Sequence, residues 1–200
     1  MNIALVNELA VAARALGVDV WEALDCARTK PFGFQEFRPG PGVGGHCIPV
    51  DPFYLTHWAR TGGTPLRLVE LSQEINARMP AHVVRRAEQL LNERGSALPD
   101  ARVLLVGVTY KRNSTDVRAS SAAAIVRLMR QSGADVTYHD PFVAAWAPGC
   151  EPVKWSADAD ADLTILLQDH DAVPLDRLPE HARLLLDTRG RLRGTRAHQL

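Results

Sequence analysis

The sequence predicts an α/β chain in which an all-helical segment precedes a parallel sheet. Three observations predict it. Residues 2–16 carry apolar side chains at helical spacing. Residues 31–52 hold five glycines and five prolines, a composition that neither a helix nor a central strand accommodates. From Arg102 onward continuous apolar runs alternate with helical stretches, the pattern of βαβ units around a parallel sheet.

Taken in order, Ile3, Val6, Leu9, Ala10, Ala13 and Leu16 mark one helix face, and Gly17 is a natural helix stop. Asp19 and Glu22 form a D-x-x-E capping box that opens a short helix to about Ala27. The stretch 31–52 is then a long shaped loop, and its Phe32, Phe34 and Phe37 argue against disorder. Asp51–Pro52 suits a cap and first position for a helix carrying Tyr54, Leu55 and Trp58. Thr64–Pro65 suits the start of another, running toward Arg94, with a kink or break at Pro80 and an end at Gly95. A boundary at residues 95–100 divides a helical unit, 1–97, from a second unit, 98–200. There, residues 103–108 read as a strand buried on both faces, 120–131 as a helix, and 136–138, 163–167 and 183–186 as further strands. Trp58, Trp146 and Trp155 read as packing residues. No internal repeat or low-complexity segment is present.

Lys+Arg and Asp+Glu both number 23, so no global charge draws the chain to nucleic acid or an anionic membrane surface. No apolar run reaches the roughly 20 residues of a membrane-spanning helix. Met1 to Leu5 lacks the basic start of a signal peptide and reads as the middle of a helix without a cap, so a truncated N-terminus is expected. Cys26, Cys47 and Cys150 are too few and too scattered for a disulfide framework and suit reduced, cytoplasmic thiols. Cys26 and Cys150 also lack partners at metal-ligand spacing, and no metal is expected.

Two segments carry chemistry. The run from Arg38 to Pro52 places Cys47 after Gly40, Gly42, Gly44 and Gly45, with His46 beside it and Asp51 four residues on. Glycines let backbone N–H groups approach a ligand, and a thiol beside a histidine and before a helix suits covalent attack on a carbonyl. A Gly/Pro loop with an incidental buried cysteine fits the spacing as well. The second segment, Tyr110-Lys111 through Asp116 and Arg118, follows the first strand and opens a helix, where a parallel sheet offers anion sites. A solvated turn with two cations is the alternative. Asp169-His170-Asp171 resembles a metal or triad fragment, and a strand-end loop is the simpler reading.

Gly44-Gly45-His46-Cys47-Ile48-Pro49-Val50-Asp51-Pro52 resembles the active-site loop of the UDP-glucose/GDP-mannose dehydrogenase family, in the form of the branch acting on UDP-N-acetylhexosamines. Val50 stands where members acting on glucose or mannose derivatives more often carry Lys. Tyr110-Lys111 with Asp116 and Arg118, His139-Asp140-Pro141-Phe142, and Asp187-Thr188-Arg189-Gly190 resemble motifs of that family's UDP-binding domain. Ala119 and Ser121 depart from its common R-E-S-P, leaving Arg118 without its usual acidic neighbour. The resemblance implies a central dimerisation domain followed by a Rossmann-like UDP-binding domain, with the N-terminal NAD-binding Rossmann domain absent. It implies Cys47 as nucleophile and Asp51 as its proton-transfer or water-activating partner. Arg38, Gly42, Gly44, Gly45, His46, Tyr110, Lys111, Arg118 and Arg189 would bind a UDP-sugar. The family oxidises a sugar C6 alcohol to an acid through a thiohemiacetal and a thioester, with NAD as acceptor. Its NAD site and its K-x-x-x-N pair precede residue 1, so no cofactor is expected on this chain alone, and a homodimer through the helices is. Gly40-x-Gly42-x-x-Gly45 has the letters of a dinucleotide fingerprint but not the strand before it. A free-standing UDP-sugar-binding or dimerisation module, and an enzyme of another thiol chemistry, are the rival classes.

Overall fold

A computed structural model describes residues 1–146, 150–154 and 160–200; the packing expected of Trp155 lies outside them. The helices are α1 (Asn2–Ala15), α2 (Val20–Ala27), α3 (Asp51–Thr61), α4 (Arg67–Glu93), α5 (Ser121–Gln131) and α6 (Leu178–His181), the last preceded by a 3-10 turn, Leu175–Arg177. The strands are β1 (Arg102–Val106), β2 (Asp135–His139), β3 (Glu151–Pro152), β4 (Leu163–Leu166), β5 (Leu185–Asp187) and β6 (His198–Gln199). They form one sheet in the order β3-β2-β1-β4-β5-β6, every pair parallel. The strands expected from apolar runs are present. The two-residue outer strands β3 and β6 were not expected, because so short a pairing leaves no periodic trace.

β1 and β4 lie at the centre of the sheet and are almost wholly apolar and buried, as strands covered on both faces must be. One core cluster joins Val103, Leu105, Ile165 and Leu186 of the sheet to Ile125 and Met129 of α5. Met79 at the middle of α4, and Val83, Ala87 and Leu90 from its second half, belong to the same cluster. A smaller cluster at the other end joins Val6 and Ala10 of α1 to Val20, Trp21 and Leu24 of α2.

Several helical expectations need correction. α1 buries Ala4, Val6, Asn7 and Ala10, whereas Leu9 and Leu16 are exposed, so the buried stripe is narrow and made of small residues. Asp19 caps α2 through the Trp21 and Glu22 amides, as its spacing suggests. Asp51 is the first residue of α3, with Val50 before it as the cap position. Thr64–Pro65 does not start α4, which begins at Arg67 without a side-chain cap. Pro80 does not break α4, which runs on to Glu93. The missing amide costs one backbone bond, and burial of Pro80 with packing of α4 on α1 and α5 holds the turns on either side. Trp58 does not pack: it is 74% exposed, whereas Trp146 is buried edge-on against Tyr138, 5.6 Å between ring centres. Phe32 is exposed too, while Phe37 packs against the α1–α2 cluster.

Candidate functional site

The site is built where the cysteine loop lies across the C-terminal ends of the strands. β1 is followed by Gly107, whose φ of 79° and whose approach to Gln168 leave no room for a side chain. The chain then crosses the strand ends, held from below by a buried network. Asp140 Oδ2 accepts from the Val108 amide at 2.7 Å, and His170 Nε2 lies 3.1 Å from both Asp140 Oδ2 and Thr109 Oγ1. The Asn113 amide donates to His170 Nδ1 at 2.9 Å, so Nδ1 is the acceptor and Nε2 carries the proton. Burial pushes the Asp140 carboxyl up, but bonds from His170, Val108 and Phe142 outweigh it and hold it below the usual range. His170 therefore ties three strand-end loops together. Among the described residues no three His, Cys, Asp or Glu side chains gather to hold a metal ion.

The glycines of the cysteine loop meet this platform directly. A Cβ on Gly42 would stand 2.9 Å from Ser121 Cβ, one on Gly45 2.9 Å from Tyr110 Cε2, and one on Gly44 would collide with the Tyr110 side chain. The Gly45 amide donates to the Arg118 carbonyl at 3.0 Å. The three glycines thus serve close packing of loop on sheet, with Tyr110 as the surface they pack on. Asn7, completely buried on α1, holds the other end of the loop. Its Oδ1 accepts from the Gly40 amide and its Nδ2 donates to Asn76 Oδ1 on α4, both at 2.9 Å.

Cys47 is exposed and reduced. His46 Nδ1 turns to Asp51 Oδ1, 2.9 Å away, which links the residues flanking the cysteine and closes the turn before α3. Arg118 is exposed and has an acidic neighbour after all: Asp116, two residues earlier, takes its Nε and Nη2 at 3.0 and 2.6 Å. The local turn supplies the pairing that the sequence motif lacks at Ala119. The Arg118 bonds pull Asp116 down to about 2. Arg118 is raised, first by Asp116 and to a smaller degree by Tyr110 and Cys47, which places the cysteine within its electrostatic reach. Arg189, half-buried at the end of β5, donates through Nε to the Leu167 carbonyl at 2.7 Å, and its Nη1 lies against Gly40. Burial lowers it. Lys111 is exposed on the rim. Arg38 is engaged by Asp25 at 3.0 Å and Glu36 at 2.5 Å, beside Trp21. The structure thus gathers Cys47, Tyr110, Arg118 and Arg189 around the loop and places Arg38 in an ion-pair cluster on α2. A cleft of about 950 Å³ beside the loop is mainly apolar, and of the expected site residues only Gly42 lines it.

Sequence reasoning missed Asn7 and the role of His170. A polar side chain within the small-residue stripe of α1 was the available signal for Asn7. The hydrogen-bonding partners of His170 come from two other strand-end loops, one holding Thr109 and Asn113 and one holding Asp140, which no local pattern reveals.

A thiol loop thus lies on the strand ends of a parallel sheet, close to the cationic side chains of Arg118 and Arg189. Residues 1–78 match the UDP-glucose/GDP-mannose dehydrogenase family, central domain, and residues 104–194 match the same family's UDP binding domain. The chain belongs to this family. It is 41% identical over 145 residues to a UDP-N-acetyl-D-glucosamine 6-dehydrogenase of Pseudomonas aeruginosa, covering 72% of this chain and 34% of that one. It is 32% identical to a UDP-N-acetyl-D-mannosamine dehydrogenase of Methanocaldococcus jannaschii, covering 86% and 38%. A solved UDP-D-ManNAc dehydrogenase from Pyrococcus horikoshii superposes with a TM-score of 0.80 at 30% identity, covering 94% of this chain and 44% of that one. The chain spans less than half the length of each of these relatives.

Proposed function

We propose that the chain is the cysteine-loop and UDP-binding part of an NAD-dependent nucleotide-sugar 6-dehydrogenase acting on a UDP-N-acetylhexosamine of the gluco or manno series. The observation that supports it most is the Gly45–Arg118 bond, which brings the thiol of one motif to the cation of another. In this reading 1–97 is the helical unit and 98–200 the nucleotide unit. Lys111, Arg118 and Arg189 face the diphosphate, where cations are worth most. The Cys47 thiolate adds to the C6 aldehyde, forming a C–S bond while the carbonyl oxygen takes up a proton. After oxidation to the thioester, water attacks the carbonyl carbon, Asp51 accepts its proton, and the C–S bond breaks to release the acid. NAD⁺ would accept the hydride in each of the two oxidations. The exposed apolar residues of α1, α3 and α4 support a homodimer.

Calorimetry with UDP tests the assignment. Lys111→Ala and Arg189→Ala should each weaken binding by about 1.5–3 kcal/mol, the worth of a charge-assisted bond. Equal affinity in both variants would remove these residues from the site. Cys47 should alkylate faster than Cys26, also exposed, and the 200-residue chain alone should form no NADH from UDP-sugars. Steady NADH formation would overturn the division of labour.

A further inference from the structure

An open cleft of about 790 Å³ lies between the C-terminal halves of α1 and α4 and is lined by no residue of the cysteine loop. Arg14 enters it from α1, and His82, Arg85, Arg86 and Glu93 from α4. Arg86 is only 5% exposed, and its Nε and Nη1 have no hydrogen-bond partner among the described residues. Glu93 lies 3.8 Å from Nη1, too far for a hydrogen bond. His82 Nε2 is likewise buried without a partner, and its Nδ1 is 3.5 Å from Arg85 Nη2. Three guanidinium groups against one carboxylate leave two positive charges uncompensated in this cleft. A buried guanidinium is tolerated only when paired and hydrogen-bonded. The crowding also acts on the groups themselves. His82 is lowered to about 4 by burial and by Arg85, Arg14 and Arg86, and Arg86 is lowered to about 10 by burial and Arg14.

We propose that this cleft binds a phosphate group, free or carried by a small metabolite, with buried Arg86 at its base and Arg14 and Arg85 closing on it from two helices. The planar guanidinium fork matches phosphate oxygens in a bidentate way that the distant Glu93 carboxylate does not. Bound there, the anion would join α1 to α4, so occupancy would stabilise the folded chain by mass action. The inference does not rest on the dehydrogenase reading.

The test uses the full 200-residue chain at constant ionic strength, with inorganic phosphate in one arm and a sugar monophosphate in the other, each replacing chloride. The His82 ring signals should shift to saturation in nuclear magnetic resonance spectra. The Arg14→Gln/Arg85→Gln double variant should bind about tenfold more weakly or worse, as the loss of charge-assisted bonds implies. Arg85 is exposed, so Arg85→Gln alone serves where the double variant does not fold. Lys111→Ala, which removes a cation at the strand ends, should leave the His82 titration unchanged. Tighter binding in one arm identifies the source of the phosphate. Unmoved His82 signals in both arms, or equal affinity in the arginine variants, would overturn the proposal.

Discussion

The sheet half and the helical half treat their large apolar residues in opposite ways. Leu105, Leu163, Ile165, Leu166 and Leu186 of the sheet are completely shielded from solvent, whereas Leu5, Leu16, Tyr54, Trp58 and Leu68 of the helices are more than half exposed. A parallel sheet covered by helices closes its own core. In the helical half, α1, α3 and the first half of α4 keep an open face that carries these exposed residues. The second half of α4 belongs with the sheet, and its first half does not, so the division runs through a single helix. Stability and surface are thus allotted to different halves, and the cysteine loop is the bridge.

Leu105→Ala should sharpen this contrast most. It empties a fully buried position in β1 and should cost about 2–5 kcal/mol in urea denaturation. A loss below about 1 kcal/mol would mean that the sheet core is not the stabilising centre.

Gly44→Ala strikes the bridge. The new methyl group meets the Tyr110 side chain and the Ala119 carbonyl, and overpacking of this kind costs about 1–3 kcal/mol. It should also change the alkylation rate of Cys47. Gly63→Ala is the control: φ is 77° with open space around it, so only the backbone term of about 1 kcal/mol applies. Equal losses in the two variants would show that the loop does not depend on its contact with Tyr110.

His82 gives a smaller, pH-dependent effect in the sheet-bound half of α4. Folding lowers it from 6.5 to about 4, chiefly by burial and then by Arg85. Between these values the unfolded chain binds the additional proton, so stability rises with pH across that window and levels off above it. The expected gain is about 1–2 kcal/mol after allowance for solvent screening of the arginines. His82→Gln should flatten the slope in chloride buffers, and an unchanged slope would place its origin elsewhere.

Leu71→Ala should have the least effect on the isolated fold. Leu71 is 49% exposed on the first half of α4, so truncation should shift stability by less than about 0.5 kcal/mol. Self-association measured by light scattering should weaken instead. A stability loss as large as that of Leu105→Ala would erase the contrast between the halves.

The apolar runs of β1 and β4 and the helix cap at Asp19 were legible because each acts within a few residues. So were the cysteine loop and the three strand-end motifs, as candidates. The buried face of α1 was legible only in part. Of the expected stripe Val6 and Ala10 are buried, while packing against α2 and α4 brings in Ala4 and Asn7 and leaves Leu9 and Leu16 exposed. Nor could the local sequence show that Pro80 stays within a helix, since the compensating contacts come from other elements.

By itself the sequence determined the longer elements, their order and the residues with chemical potential, though not β3, α6 or β6, because period, glycine placement and charge are local properties. The tertiary structure decided which of those residues meet. Asp116 takes Arg118, His46 takes Asp51, and Arg38 is drawn into the Asp25 cluster, while Arg189 reaches the loop at Gly40. The first two follow from local turns, whereas Arg38–Asp25 and Arg189–Gly40 depend on distances between segments apart in the chain. Hydrogen bonds and ion pairs decay within a few ångströms, so only the folded arrangement can select them.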